Sequence, residues 1–204
     1  MKSKTLNVFL ICTFVINSIF AQETEEIISV ASYIESTELN ASPVDVITAE
    51  EFKNLRVSTV AELSKYLSVA SGSHFQTNAL DGVDQGMATI TLRGMDHAST
   101  LVLINKKRQT HAGTPSNDGE GYIDINIIPE IALNRIEILK DGATSLFGSD
   151  AVAGVINFQT YQSFDGMRLS LGSQKTSNYG QRDDSIGALF GGEGFGGSYV
   201  FALS

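Results

Sequence analysis

Three runs near the end of the chain alternate apolar residues with small or polar ones at a period of two. Met167, Leu169 and Leu171 alternate with Arg168, Ser170 and Gly172; Ile186, Ala188 and Phe190 with Ser185 and Gly187; Tyr199, Phe201 and Leu203 with Ser198, Val200 and Ala202. Successive side chains of a strand point to opposite faces, so this pattern calls for strands with one apolar face and one modest face. Such strands suit either a soluble antiparallel sheet or the wall of a membrane barrel, apolar toward lipid and small or polar toward the lumen. Residues 161–204 have room for about three strands of the roughly ten residues a barrel strand requires. Three strands close no barrel, so the chain reads as unfinished at its end.

Upstream the texture differs. Short β runs occupy residues 89–93, 101–105, 122–128, 135–140 and 152–158, with Gly, Asp or Pro in most gaps, as in Arg93-Gly94, Ile128-Pro129 and Asp141-Gly142. Leu101-Val102-Leu103-Ile104 is continuously apolar and fits a strand buried on both faces. Ahead of these runs, Thr48 with Glu51 and Thr59 with Glu62 have the spacing in which each end satisfies a free backbone N–H of a helix start. Two short helices are expected there, the second burying a stripe of Val60, Leu63 and Leu67. The expected class is α+β with a small sheet. The long polar loops 78–86 and 106–121 are where recognition on such a scaffold sits.

The beginning of the chain reads as an address. Lys2 and Lys4 precede an apolar run over residues 6–20, which is the pattern of a secretory signal and is shorter than the about 20 residues a membrane-spanning helix needs. Cleavage is expected after Ala21. Residues 22–42 then form a polar arm carrying one extended patch, residues 27–31. The whole chain has 14 Lys and Arg against 23 Asp and Glu, for a net charge of −9, which argues against a nucleic-acid partner because phosphate binding is driven by cations. The single cysteine, Cys12, lies in the signal, so the rest holds no disulfide, thiolate metal site or cysteine nucleophile.

The order of these pieces resembles the N-terminal plug domain of TonB-dependent outer-membrane receptors. The pieces are Pro43-Val44-Asp45-Val46-Ile47-Thr48, Thr59-Val60-Ala61-Glu62-Leu63, Ile90-Thr91-Leu92-Arg93-Gly94, Leu101-Val102-Leu103-Ile104, Ile128-Pro129, and Arg135-Ile136-Glu137-Ile138-Leu139-Lys140-Asp141-Gly142-Ala143. The longest is Phe147-Gly148-Ser149-Asp150-Ala151-Val152-Ala153-Gly154-Val155-Ile156-Asn157-Phe158. The resemblance implies a signal peptide at 1–21, a flexible arm at 22–42, a plug domain at 43–160 with a small mixed β-sheet and short helices, and at 161–204 the first antiparallel strands of an incomplete transmembrane β-barrel.

It also implies a function. In that family TonB, powered by the proton-motive force across the inner membrane, pulls on the plug to admit a scarce nutrient of the siderophore, cobalamin, haem or glycan class across the outer membrane of a Gram-negative cell. Glu26, Ile27, Ile28, Ser29, Val30 and Ala31 look like the TonB box, which pairs as an added strand; a fraying first strand is the other reading. Arg93 and Arg135 look like the arginines that meet wall glutamates and hold the plug closed, against an internal bridge from Arg135 to Glu137 or Asp141. Ligand-facing residues are expected among Asn78, Asp81, Asp84 and Gln85 in one loop and His111, Ser116 and Asn117 in the other. Where the family commonly has Asp-Gly after the apolar strand, this chain has Asn105-Lys106-Lys107-Arg108. Asn105 can adopt the left-handed conformation the turn needs, and the basic triplet is either a rim favouring an anionic ligand or a solvated loop. A free periplasmic plug-like binding module without transport activity is the rival from another class.

Other chemistry finds little footing. Gly192, Gly194 and Gly197 match G-x-G-x-x-G, but a strand rather than a helix follows, so a hairpin turn is expected. His74, His97 and His111 are far apart with no partner four residues on. No nucleophile elbow or phosphate-loop lysine is present. The expectation is a protein that is no enzyme and takes no cofactor or metal.

Overall fold

The computed structural model describes residues 44–55, 57, 59–73, 86–116, 119–175, 182–194 and 196–204. The expected signal, the arm with residues 26–31, and Asn78, Asp81, Asp84, Gln85 and Asn117 lie outside the described residues.

A five-stranded mixed sheet carries the first part. It consists of β1 (Val44–Thr48), β2 (Thr100–Ile104), β3 (Lys107–Arg108), β4 (Leu133–Leu139) and β5 (Gly154–Thr160), in the spatial order β1-β4-β5-β2-β3. β2 and β5 run parallel, and the other pairs are antiparallel. The sequence reading assigns no strand to residues 44–48. Its partner β4 lies about ninety residues downstream, with Val44 opposite Leu139 and Thr48 opposite Arg135, so no local signal marks the pairing.

Thr48 ends β1 and starts α1 (Ala49–Asn54). Its hydroxyl accepts the Glu51 amide while the Glu51 carboxylate accepts the Thr48 amide at 2.9 Å, the complete reciprocal cap that the spacing predicts. The second such spacing begins a 3₁₀ helix, Val60–Tyr66, on which Val60 and Leu63 are buried and Leu67 packs beside them. These join Phe52, Ile90, Leu92, Ile125, Leu133, Ile136, Ile138, Ile156 and Phe158 in the main core on one side of the sheet. A smaller cluster, Leu101, Leu103, Leu139 and Val155, meets Ala143, Phe147 and Ala151 on the other. β2 contributes to both, as its continuous apolar run requires, and each fully buried aliphatic side chain contributes about 1.5–3 kcal/mol.

Two expected strands are absent. Residues 89–93 form only an isolated bridge at Thr89, because three of their amides bond outside any strand ladder: Thr91 donates to the Ser73 hydroxyl, Leu92 to the Thr100 hydroxyl and Arg93 to the Val69 carbonyl. Residues 122–128 hold the 3₁₀ helix Ile125–Ile127, started by the Asp124 carboxylate, which accepts the Asn126 amide at 3.0 Å. A further 3₁₀ helix, Glu130–Ala132, leads into β4, and α2 (Thr144–Phe147) precedes β5. At Gly154, φ is +140°, and a Cβ would run into the Leu139 carbonyl and lie 2.7 Å from Leu92 Cδ1. Only glycine lets β5 leave the preceding turn this close to β4.

The second sheet is antiparallel: β6 (Gly166–Lys175), β7 (Arg182–Gly194) and β8 (Gly197–Leu203), in that order. Met167, Phe190 and Phe201 stand in one row, Leu169, Ala188 and Leu203 in the next, and Leu171 and Ile186 in a third. The glycine motif of residues 192–197 is the β7–β8 hairpin, with Gly194 opposite Gly197.

Candidate functional site

The polar chemistry of the mixed sheet gathers where β4 and β5 lie side by side. Glu137 interrupts an Ile-x-Ile alternation and Asn157 an apolar run, and both are fully buried. The register places them opposite each other. The Asn157 amide donates to one Glu137 oxygen at 3.0 Å and Gln159 Nε2 to the other at 2.7 Å. Arg135 Nε lies 3.0 Å from Glu137 Oε1, with its side chain 19% exposed. A buried carboxylate is tolerable only with such company. Of the two internal partners expected for Arg135, Glu137 is the one the fold supplies.

Asn157 also fixes the β2–β3 turn by accepting the Lys106 amide at 2.9 Å. Asn105 and Lys106 have φ of 50° and 65°, the two-residue hairpin whose both central residues are left-handed. Asn105 exchanges two side-chain hydrogen bonds with Thr160, each at 2.9 Å, and donates its amide to the Phe158 carbonyl. The tight turn therefore survives without glycine, as expected of Asn105. Lys106 and Lys107 are exposed, whereas Arg108 is clamped: it lies 2.5 Å from Asp150 and donates to the Phe147 carbonyl. The hydrogen bond from Arg108, then that from Ser149, holds the Asp150 carboxyl below its ordinary range.

Arg93 occupies a different corner. Its φ of 59° is strained for a side chain of its size, and the exposed guanidinium donates to the carbonyls of Ala153 at 3.0 Å and Val152 at 3.2 Å. No ion pair engages it among the described residues. Of the expected loop residues, His111 is exposed, whereas Ser116 is buried and its hydroxyl accepts the Glu120 amide, closing its own loop. Arg93 thus bonds just ahead of β5, Arg135 on β4 and Ser116 within its own loop. No cluster of three or more metal-ligating side chains occurs among the described residues.

The two faces of the second sheet differ in composition, and on β7 also in burial. Met167, Leu169, Leu171, Ile186, Phe190, Phe201 and Leu203 are exposed on one side, Leu171 to 80%. On the other, Leu189 is fully buried and Gly187 meets Ile131 of the 3₁₀ helix ahead of β4. The alternation in sequence predicts the apolar face; it says nothing of Ile131, Gly187 and Leu189, which meet only because the mixed sheet lies against the strands. No helix among the described residues is long and apolar enough to cross a membrane.

A family model described as the TonB-dependent receptor plug domain matches residues 37–155. The iron-regulated outer membrane virulence protein of Vibrio cholerae is 32% identical over 149 residues, covering 70% of this chain and 22% of that protein. A vitamin B12 transporter of Vibrio vulnificus is 27% identical, covering 85% of this chain and 31% of the transporter. Among solved structures, the siderophore receptor PirA of Acinetobacter baumannii superposes with a TM-score of 0.52 at 27% identity, over 73% of this chain and 22% of its own. A hemophore receptor of Serratia marcescens, in complex with its hemophore and heme, shares the fold with a TM-score of 0.58 at 15% identity, over 78% of this chain and 23% of its own. This chain thus spans about a fifth to a third of the length of these curated relatives. It has the mixed sheet, the short helices and the family's match over more than half its length, and it belongs to the TonB-dependent receptor plug domain family.

Proposed function

We propose that this chain is the plug and the opening wall strands of an outer-membrane receptor that imports a scarce nutrient by coupling to TonB. One observation carries the reading: the second sheet turns every large apolar residue of its alternation to one exposed face, while on the other face of β7 Gly187, Leu189 and Gly191 are buried, Gly187 against Ile131. A soluble module gains nothing from that arrangement, whereas a barrel wall has lipid outside and a plug inside. The reading takes residues 1–21 as the export signal, 22–42 as the arm that reaches TonB through residues 26–31, 43–160 as the plug and 161–204 as the first wall strands.

Arg93, exposed and free of carboxylates among the described residues, is the cation best placed to meet a wall glutamate. Arg135 already carries Glu137, so a wall carboxylate would join that pair rather than replace it. The relatives' names favour a ferric siderophore or cobalamin as cargo. His111 and the loops around residues 78–85 and 116–117 are the plug's contribution to the ligand.

The test is uptake of radiolabelled ferric enterobactin and cyanocobalamin by Gram-negative cells expressing the complete receptor that carries this sequence as its plug and first wall strands, with and without TonB, alongside a variant lacking residues 26–31. Uptake that needs both TonB and residues 26–31 is the expected result. A protein recovered soluble from the periplasm, or uptake indifferent to TonB, would sink the proposal and favour the free binding module.

A further inference from the structure

The β2–β3 turn carries its charge at a conformational cost. Lys106 sits at φ 65°, in the left-handed region. Glycine holds that conformation without strain, so what lysine adds there is its charge. Lys107 follows it, both side chains are exposed, and neither ammonium meets a carboxylate among the described residues. The backbone beneath them is held by Asn157, which accepts the Lys106 amide, and by the Asn105–Thr160 pair. Two adjoining unpaired cations on a fixed turn stand out in a chain of net charge −9.

The fold also fixes the end of the plug at which this turn lies. Thr160, bonded to Asn105, is the last residue of β5, and the chain passes from it towards β6. There the Gln162 carbonyl accepts the Ser198 hydroxyl, and a Cβ at Gly191 would run into the Phe164 carbonyl, so the β7–β8 hairpin lies at the same end. That hairpin turns over the two residues between Gly194 and Gly197, whereas residues 176–181 join β6 to β7 at the other end. The short turns of a receptor wall face the periplasm and its longer loops the outside. On the import reading the basic turn therefore faces the compartment from which TonB reaches the plug, away from the arriving ligand.

The arm that precedes β1 has the complementary charge. Residues 22–43 hold Glu23, Glu25, Glu26, Glu35 and Glu38 and no Lys, Arg or His, and three of these carboxylates crowd its start, beside the extended patch 27–31. Reach is ample. Val44, Leu139, Val155 and Leu101 lie level across β1, β4, β5 and β2, so Lys106 is roughly 22 Å from the start of β1 at ordinary strand spacings. The stretch from residue 27 to residue 43 extends to about 56 Å. We propose that Lys106 and Lys107 dock the acidic start of this chain's own arm, Glu23, Glu25 and Glu26, and so hold residues 26–31 against the plug between encounters with TonB. The dock itself is independent of what the chain imports; its bearing on TonB rests on the import reading above. A single exposed pair contributes little, but a tethered run of carboxylates meets the two ammonium groups at high effective concentration.

Two experiments decide it. Nitroxide labels on Thr24→Cys and Thr110→Cys, in the complete receptor purified in detergent, report the distance between arm and turn by pulsed electron resonance. One narrow short-range population is expected at about 0.01 M salt, where charges act over about 30 Å, and a broad spread at about 1 M, where they act over about 3 Å. Lys106→Glu with Lys107→Glu, which leaves the left-handed residue a non-glycine, should scatter the arm at low salt. Adding Glu23→Lys, Glu25→Lys and Glu26→Lys to that variant should bring it back. A scattered wild-type arm at low salt, or a narrow population indifferent to salt or to the reversed turn, overturns the dock. The second experiment is binding of a soluble periplasmic fragment of TonB. Lys106→Gln with Lys107→Gln should bind it at least about threefold more tightly than wild type at low salt and equally at high salt, because a site open part of the time loses affinity by that fraction. Turn variants that alter TonB binding while the wild-type arm is scattered overturn the arm as occupant and give the turn to an acidic partner. If TonB binds neither protein, the import reading fails, and the distances alone decide the dock.

Discussion

The Arg135 guanidinium lies 3.0 Å from the Glu137 carboxylate, two residues along the same strand and on the same face of the sheet. Glu137 is fully buried and also holds Asn157 and Gln159, so the plug carries its own counter-charge for Arg135. Removing Arg135 takes a cation from a carboxylate that water does not reach, and removing Glu137 takes the counter-charge from a largely buried guanidinium. Glu137→Ala is expected to cost about 3–5 kcal/mol, read as a lower urea midpoint, while the double variant Arg135→Met, Glu137→Leu recovers most of the loss. A single variant as stable as wild type would show that the pair is hydrated.

Lys106 occupies a position that the hairpin keeps left-handed, at φ 65°. Its amide is bonded to Asn157, but its side chain is exposed, so nothing is lost by deleting it. Lys106→Gly should therefore raise stability by about 0.5–1 kcal/mol, the strain released less the extra freedom of the unfolded glycine. A lower melting temperature in that variant would contradict the turn geometry.

Two carboxylates should give opposite pH signatures. Hydrogen bonds from Arg108 and Ser149 hold Asp150 below its ordinary value, so its contribution is complete at neutral pH and disappears as pH falls through that lowered value. Glu130 is half-buried beside a cavity of about 70 Å³ and is raised by burial, then by the Glu62 charge. Its ionised form is penalised in the folded state, so stability falls as pH rises from the ordinary carboxylate range through the raised value. Glu130→Gln should melt higher than wild type at pH 7, with the advantage gone below about pH 4. Asp150→Asn should melt lower at pH 7 and converge with wild type in stronger acid. Melting curves across pH 3–8 check both, about the range over which carboxylates titrate.

The exposed apolar face tests the membrane. Leu169 sits in its middle row with Ala188 and Leu203. Leu169→Arg should cost about 2–4 kcal/mol if that row faces the bilayer midplane, and deplete the protein from the outer-membrane fraction. Unchanged assembly would mean that the face is not lipid-exposed.

Local patterns were legible where the physics is local. The Thr48–Glu51 cap, the glycine hairpin at 194–197, the left-handed Asn105 and the alternation of residues 167–203 each depend on a few neighbouring residues, and each stands as expected. Residues 89–93 misled because β-forming side chains do not decide where amides bond, and here Ser73, Thr100 and Val69 took them.

The sequence alone therefore determined the family, the α+β character and the two-faced strands, because these follow from periodicity, spacing and turn chemistry. The tertiary structure decided that Val44–Thr48 is a strand, that Arg135 faces Glu137 beside Asn157, and that Ile131 meets Gly187. Except for Arg135 and Glu137, those partners lie twenty to ninety residues apart. Even Glu137 owes its burial to β1 and β5, which pack beside it only once the chain has closed its loops, and no window of the sequence contains both sides of such a contact.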